Sequence, residues 1–295
     1  MAEFTRWLNP KTIEALKQEN LYKEKLKPDM EAGKIFFAIR PGRCSFYYKG
    51  RSLFSYDGKA FSANSKFAFV PEGKEAYITE AKLSSMNPEK DFCRAYPKIM
   101  ERAALYADTE ADGVSVLYEF APPTKQERYF IVDIEVVFNP VKDTENQDGE
   151  AENQNDEKQS KTDRIDILLY DNTKKQLVFC EAKHFSNPEI WAKPGNTPKV
   201  VAQLDKYNRQ IREKKGQIIK EYANAFEAYN QLLGINLDKP ESVCDKCGLL
   251  IFGFSRQTQD KVRKLIASES LEGHRCKIIG STANLTAKSL FDELV

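Results

Sequence analysis

Two apolar runs, Ile165 to Tyr170 and Gln176 to Cys180, stand either side of Asp171-Asn172-Thr173-Lys174-Lys175, and no other stretch of the chain leaves so little choice of structure. The linker is short and rich in turn formers, and the runs beside it carry β-branched and aromatic residues, so the spacing predicts a hairpin. Asp166 lies near the start of the first strand, Glu181-Ala182-Lys183 closes the second, and fourteen residues separate Asp166 from Glu181. Successive strand residues point to opposite faces, so Glu181 and Lys183 share one face while Ala182 turns away. A register that puts Asp166 on the same face brings two carboxylates and an ammonium together and sends Ile165 and Ile167 into the core.

Two carboxylates with the Ala182 carbonyl between them make a hard oxygen site. Mg²⁺ or Mn²⁺ suits it, because Mg²⁺ takes few protein ligands and keeps waters for a phosphate substrate. Such an ion polarises a scissile phosphate and acidifies the attacking water. Lys183 adds a positive charge for the transition state, and desolvation beside a metal is expected to lower its pKa toward proton transfer. The plain alternative is a solvent-facing strand carrying a Glu/Lys pair.

Downstream, Gln203-Leu204-Asp205-Lys206-Tyr207 places a glutamine and a tyrosine four apart, on one face of a helix. With these residues in view, the chain resembles the PD-(D/E)XK nuclease superfamily, RecB-like branch. Asp166 matches its metal-binding Asp, Glu181 its second acid, Lys183 its lysine, and Gln203 with Tyr207 its Gln-x-x-x-Tyr element. The resemblance covers roughly residues 90 to 280 and implies a restriction-endonuclease-like core: a helix, a three-stranded antiparallel meander, a second helix and a further strand. Laid on that order are a helix over Asp91 to Tyr106, strands over Arg128 to Phe138, Arg164 to Tyr170 and Gln176 to His184, and a helix over Lys199 to Leu233. A strand over Gly248 to Phe254, a helix over Gln259 to Ala267 and a strand over Cys276 to Ile279 follow. Members often add an acid from an earlier element; Glu135 is the preferred candidate, Asp133 shares its face, and Glu101 on the first helix competes. Ile165 stands where the motif has proline, and Asp163 where RecB-like members usually have glycine.

Cys244-x-x-Cys247 is a lone pair, with Cys93 and Cys276 far from it in sequence, so the iron–sulfur staple of some RecB-like members is incomplete and reduced thiols are expected. From Lys34 to Val70, seven Lys or Arg and one acid, Asp57, interleave with ten Phe or Tyr, and three Gly-containing turns cut the segment into short strands. A β-meander is expected here. Arg40, Arg43, Lys49 and Arg51 are its candidates for phosphate contacts, although most of the aromatics are needed for its core. Lys199 to Lys220 carries seven Lys or Arg against Asp205 and Glu213, with Lys206 and Arg209 the candidate contacts beside Gln203 and Tyr207. Val141 to Thr162 holds seven acids and no aromatic, so it is expected to be a mobile acidic loop.

Net charge is only +1, so the whole molecule is not a basic magnet for nucleic acid. Scattered cysteines, the absence of a membrane-length apolar run and an N-terminus without a signal-peptide core lead to the expectation of a cytoplasmic protein with no membrane partner. The expected organisation is an α/β (α+β) chain with a β-rich module over 1–85 and a nuclease-like domain over 86–295. The expected function is Mg²⁺-dependent hydrolysis of DNA phosphodiesters, with RNA left open as a substrate and a non-catalytic nucleic-acid- or protein-binding member of the same fold as the alternative.

Overall fold

The computed structural model describes residues 4–68, 77–86, 89–120, 128–138, 164–193 and 195–295, and the expected acidic loop at 141–162 lies outside them, as does Asp163. The chain divides into two compact units. Of the described residues, those up to Ala107 with Val137, Phe138 and Arg164 make the first; Asp108–Val136 and Ile165–Val295 make the second.

The first unit opens with α1 (Pro10–Gln18) and α2 (Lys27–Glu31). Asn9 caps α1 by accepting from the Lys11 amide, and Pro10 supplies a preset φ at the first helical position. A five-stranded antiparallel sheet follows, in sequential order: β1 (Phe36–Arg40), β2 (Arg43–Tyr48), β3 (Arg51–Tyr56), β4 (Phe61–Asn64) and β5 (Tyr77–Thr79). Its turns fall at the three glycine-containing positions read from the sequence, with Gly42, Gly50 and Gly58 all at positive φ. Cys44, Phe46 and Phe54 face inward, and α4 (Phe92–Leu105), which follows α3 (Glu80–Met86), lays Phe92 edge-on against Phe54 at 5.4 Å. Most of the aromatics here are core, as the shortage of other large apolar residues requires. The boundary expected at residue 85 falls in the last turn of α3, inside this unit, which also takes in α4 because α4 packs on β2 and β3.

The second unit is a mixed sheet with helices on both faces. It begins with α5 (Thr109–Phe120), then β6 (Tyr129–Val136), β7 (Ile165–Asp171) and β8 (Gln176–His184), an antiparallel meander. The 35-residue α6 (Lys199–Leu233) then crosses back and ends at Gly234, whose φ of 67° provides the left-handed stop. Two-residue β9 (Ser242–Val243) pairs the start of β8, and β10 (Gly248–Phe252) pairs its end in parallel. After α7 (Gln259–Ile266), β11 (Cys276–Ile279) lies parallel to β10, and α8 (Ala287–Leu294) closes the chain. The sheet order is β11-β10-β8-β7-β6, so β8 is central, antiparallel to one neighbour and parallel to the other.

Register assigns the faces. Tyr170, Leu168 and Asp133 lie on the α6 side, where Tyr170 meets Phe226 at 4.7 Å and the Tyr222 hydroxyl donates to Asp133 Oδ2 at 2.7 Å. The β6–β7 register slips between Ile131 and Asp133, and the Tyr229 hydroxyl donates to the carbonyl of the intervening Val132 at 2.9 Å. Tyr229 thus satisfies a carbonyl at the bulge, and Tyr222 the buried Asp133 carboxylate next to it. The opposite face takes α8, whose Leu294 fills the space a side chain on Gly248 would need, and α5, where Gly113 lies over the Phe252 ring. Among the described residues no helix is long and apolar enough to cross a membrane.

The hairpin turn is locked by one ion pair. Asp171 is fully buried, and Arg128 grips it with Nε at 2.9 Å and Nη2 at 2.8 Å while the Thr173 and Lys174 amides donate to its Oδ1. Burial by itself would raise the Asp171 carboxyl; the Arg128 bonds and the two turn amides reverse that and hold it below its ordinary value. A carboxyl depressed in the folded state stabilises the fold above its unfolded value, about 3.9, and loses that contribution as pH falls through the lower folded value. Asp171→Asn keeps an acceptor for the turn amides but loses the ion pair. It is expected to melt below wild type at neutral pH, with the gap starting to close only below about pH 4; melts at stepped pH check this.

Candidate active site

Asp166 and Glu181 face each other across a parting of strands. The β7–β8 ladder runs from Asp171 opposite Gln176 to Ile167 opposite Cys180 and then stops, so the next position would set Asp166 against Glu181. Directly opposed residues share a face, and the expected convergence is therefore built into the register. Asp166 is the one partly exposed residue of β7, with Ile165 and Ile167 buried to either side. Beyond the last rung, the Ala182 amide donates to Asp166 Oδ2 at 2.7 Å in place of a ladder partner. A strand residue exchanges both its N–H and its C=O with the same neighbour, so the Ala182 carbonyl faces the same gap.

Glu181 is 1% exposed and Lys183 7%, which no solvent-facing Glu/Lys pair would be. Lys183 Nζ lies 2.9 Å from Glu181 Oε1 and 3.0 Å from Glu189 Oε2. Glu189 sits on a single 3₁₀ turn, Pro188–Ile190, that Asn187 caps by accepting from its amide. The turn is anchored by Glu110 at the start of α5, whose Oε1 accepts from the His184 amide at 2.8 Å and from Asn187 Nδ2 at 2.7 Å. Neither Glu110 nor Glu189 was expected from the sequence. Glu110 had one local signal, an acid in the first turn after Asp108, which accepts from the Ala111 amide. Val114, Val116 and Tyr118 alternate like a strand and hide that helix.

The electrostatics follow from this crowding. Burial, then Glu181 and Glu135, push the Asp166 carboxyl well above the ordinary carboxylate range, with the Ala182 amide and Lys183 pulling the other way. Burial lifts Glu181 to about 7, Lys183 opposes, and Glu135 and Glu110 add to the rise. For Lys183 burial alone would lower the pKa; Glu181, Asp166 and Glu110 outweigh it, and the ammonium is held above its ordinary value. Without a bound metal the surrounding carboxylates together outweigh desolvation, the opposite of the lowering expected beside a metal ion.

Glu135 falls between Ile134, opposite Ile167, and Val136, opposite Ile165, which puts it beside Asp166. Its φ of 51° is the one left-handed non-glycine conformation inside a strand among the described residues. That conformation costs about 1–3 kcal/mol and persists only where packing imposes it. Asp133 shares the face of Glu135, as expected, but it is fully buried and bonded to the Tyr222 hydroxyl, whereas Glu135 is partly exposed. Glu101 is exposed on α4, in the first unit.

From α6, Gln203 Nε2 donates to the Tyr207 hydroxyl at 2.8 Å, and Tyr207 is fully buried. Burial and then the charge of Glu181 push its phenol far up, which keeps that hydroxyl a neutral hydrogen-bonding group. Lys206 and Arg209 are exposed on the same helix. In the first unit Arg43, Lys49 and Arg51 are partly exposed, whereas Arg40 is only 9% exposed and its Nε donates to the Tyr47 hydroxyl. Arg40 is thereby corrected from surface phosphate contact to core-edge residue. All six cysteines are free thiols, and burial raises Cys180 and Cys247 well above the ordinary value.

Among the described residues no three His, Cys, Asp or Glu side chains are grouped to hold a metal ion. The gap offers two carboxylates and one carbonyl, which suffices for a hard cation that keeps several waters. Glu181 Oε2 is buried with no hydrogen-bond partner, an oxygen whose desolvation such a cation would offset. Comparison with family models, curated proteins and solved structures finds no match for the chain.

Packed carboxylates that repel one another destabilise the metal-free fold. Asp166→Asn keeps an acceptor for the Ala182 amide and removes one charge. It is expected to raise the melting temperature in EDTA by a few degrees, at roughly 2–4 °C per kcal/mol for a chain of this class. Millimolar Mg²⁺ is expected to raise the wild-type value and to leave the variant unmoved. Calorimetry of the two proteins with EDTA and with Mg²⁺ checks both halves.

Proposed function

We propose that the chain is a divalent-metal-dependent nuclease that hydrolyses DNA phosphodiester bonds, with Asp166, Glu181, Lys183, Gln203 and Tyr207 as its working residues. The observation that carries this reading is the meeting of Asp166, Glu181 and Lys183 at the point where β7 and β8 part. The order of meander, α6 and β10 supports a restriction-endonuclease-like core, in keeping with the PD-(D/E)XK resemblance.

Asp166, Glu181 and the Ala182 carbonyl would hold Mg²⁺ or Mn²⁺, which supplies Lewis acidity at the phosphate and a more acidic water. The remaining roles belong to the chain. The carboxylates around Lys183 favour its ammonium form, which suits it to act as a positive charge for the phosphate oxygens as negative charge builds in the transition state. Glu189 and Glu181 hold that ammonium from two sides and restrict its wandering. Tyr207, braced by Gln203, supports the Glu181 side of the gap, and the exposed Lys206 and Arg209 lie where a phosphate backbone would be attracted.

The test compares wild type and Lys183→Ala on linear, circular and single-stranded DNA and on RNA, with Mg²⁺, Mn²⁺ or EDTA. Wild type is expected to cleave DNA only with metal, and Lys183→Ala to lose about 10²–10³-fold in rate with its circular dichroism unchanged. Equal rates would end the enzyme reading in favour of a binding protein on the same fold.

A further inference from the structure

The strand that delivers Lys183 runs straight into an aromatic surface. Phe185 follows two residues later, and its amide donates to the Phe252 carbonyl at 2.7 Å, so the exit of β8 is tied to β10. The capped turn that carries Glu189 to Lys183 continues into Trp191. The Trp191 indole donates to the Phe185 carbonyl at 2.9 Å, and the two rings meet edge to face at 5.4 Å and 78°. Both are partly exposed. Lys261 of α7, itself exposed, sets its ammonium 4.1 Å from the indole centroid. Lys193 and Arg256, on the loops after β8 and β10, are exposed as well.

We propose that Trp191, with Phe185 and Lys261, is a base-stacking subsite for single-stranded nucleic acid beside the reaction centre. The inference rests on the proposed nuclease reading and names the substrate form that its site takes. A partly exposed indole with a flexible cation over its ring suits a ligand that offers a π-face and an anion together, which an unpaired nucleotide does. The base displaces the Lys261 ammonium from the ring, and the ammonium moves to the adjoining phosphate. Paired bases keep their faces inside the helix, so duplex DNA reaches this subsite only at a frayed or unwound end. The shared turn links the two functions: Glu189 holds Lys183 from the same short segment that presents Trp191, so a base stacked on the indole lies close in sequence and space to the charge that serves the phosphate.

The chain has two tryptophans, and Trp7 in the first unit is the other. In a Trp7→Phe protein, Trp191 is the sole indole reporter. Titration in EDTA with an oligothymidylate of about 15 nucleotides is expected to quench its emission, while the matching blunt duplex leaves it unchanged. Trp191→Ala is expected to weaken single-strand binding about 10- to 100-fold by anisotropy, with Trp191→Phe recovering most of the loss. Lys261→Ala is expected to lower the salt dependence of binding by about one phosphate contact. Absence of quenching, equal quenching by duplex, or unchanged affinity in Trp191→Ala overturns the subsite. Because the titration contains no metal, loss of cleavage with quenching intact would count against the nuclease reading alone.

Discussion

The Ala182 amide bonded to a side chain, where a sheet would offer a backbone carbonyl, is the contact on which the site depends. Antiparallel strands tend to zip to their ends, because each further rung satisfies two more backbone groups. Here the zipper stops after Ile167 and Cys180, and the Asp166 carboxylate takes the next donor. The strands part without leaving that amide unpaired, and the parting sets Asp166 against Glu181. The same Glu181 and Lys183 continue the ladder on the other side, paired to Leu249 and Ile251 of β10, so the gap is rigid on one wall.

Such a gap is expensive to hold open. Glu181 and Lys183 are buried, and a buried ion pair recovers its desolvation cost only when its remaining polar atoms are also satisfied. Lys183 is nearly satisfied, between Glu181 and Glu189. Glu181 keeps one oxygen with no partner, and Asp166 is pushed toward its neutral form by burial and then by the carboxylates beside it. The strained backbone at Glu135 adds to the cost on the third strand. The stabilising terms lie away from the gap: the Arg128 clamp on Asp171 at the hairpin turn, and Tyr222 and Tyr229 bonding into the β6 bulge from α6. Strain at one end of the meander is thus offset by well-satisfied polar groups at the other, as is usual where a protein keeps a poised site.

Local signals made much of this legible. The turn formers of 171–175, the alternation around Asp166 and Glu181, and the helical period from Lys199 to the glycine at 234 are all short-range properties, and the elements formed where those properties placed them. The glycine turns of the first sheet were readable for the same reason. The misses have a common cause as well. The α5 segment looks like a strand, because its β-branched alternation is stronger than its cap, and Gly113 is there for the Phe252 ring from a distant strand. Asp133 and Glu135 appear equivalent in sequence and share a face, and only the packing of α6, whose Tyr222 bonds Asp133, separates a buried structural aspartate from a residue opposite Asp166.

By itself the sequence determined which strand carries each member of the triad, that a hairpin joins them, and that a long helix with Gln203 and Tyr207 follows, since periodicity and turn chemistry act over a few residues. Tertiary structure decided how those groups behave. It alone brought Glu110 and Glu189 to the exit of β8, buried the Glu181–Lys183 pair, and set the lysine's charge by the carboxylates around it. Electrostatic energy depends on distance through space and on exclusion of water, and neither is written in the order of residues along the chain.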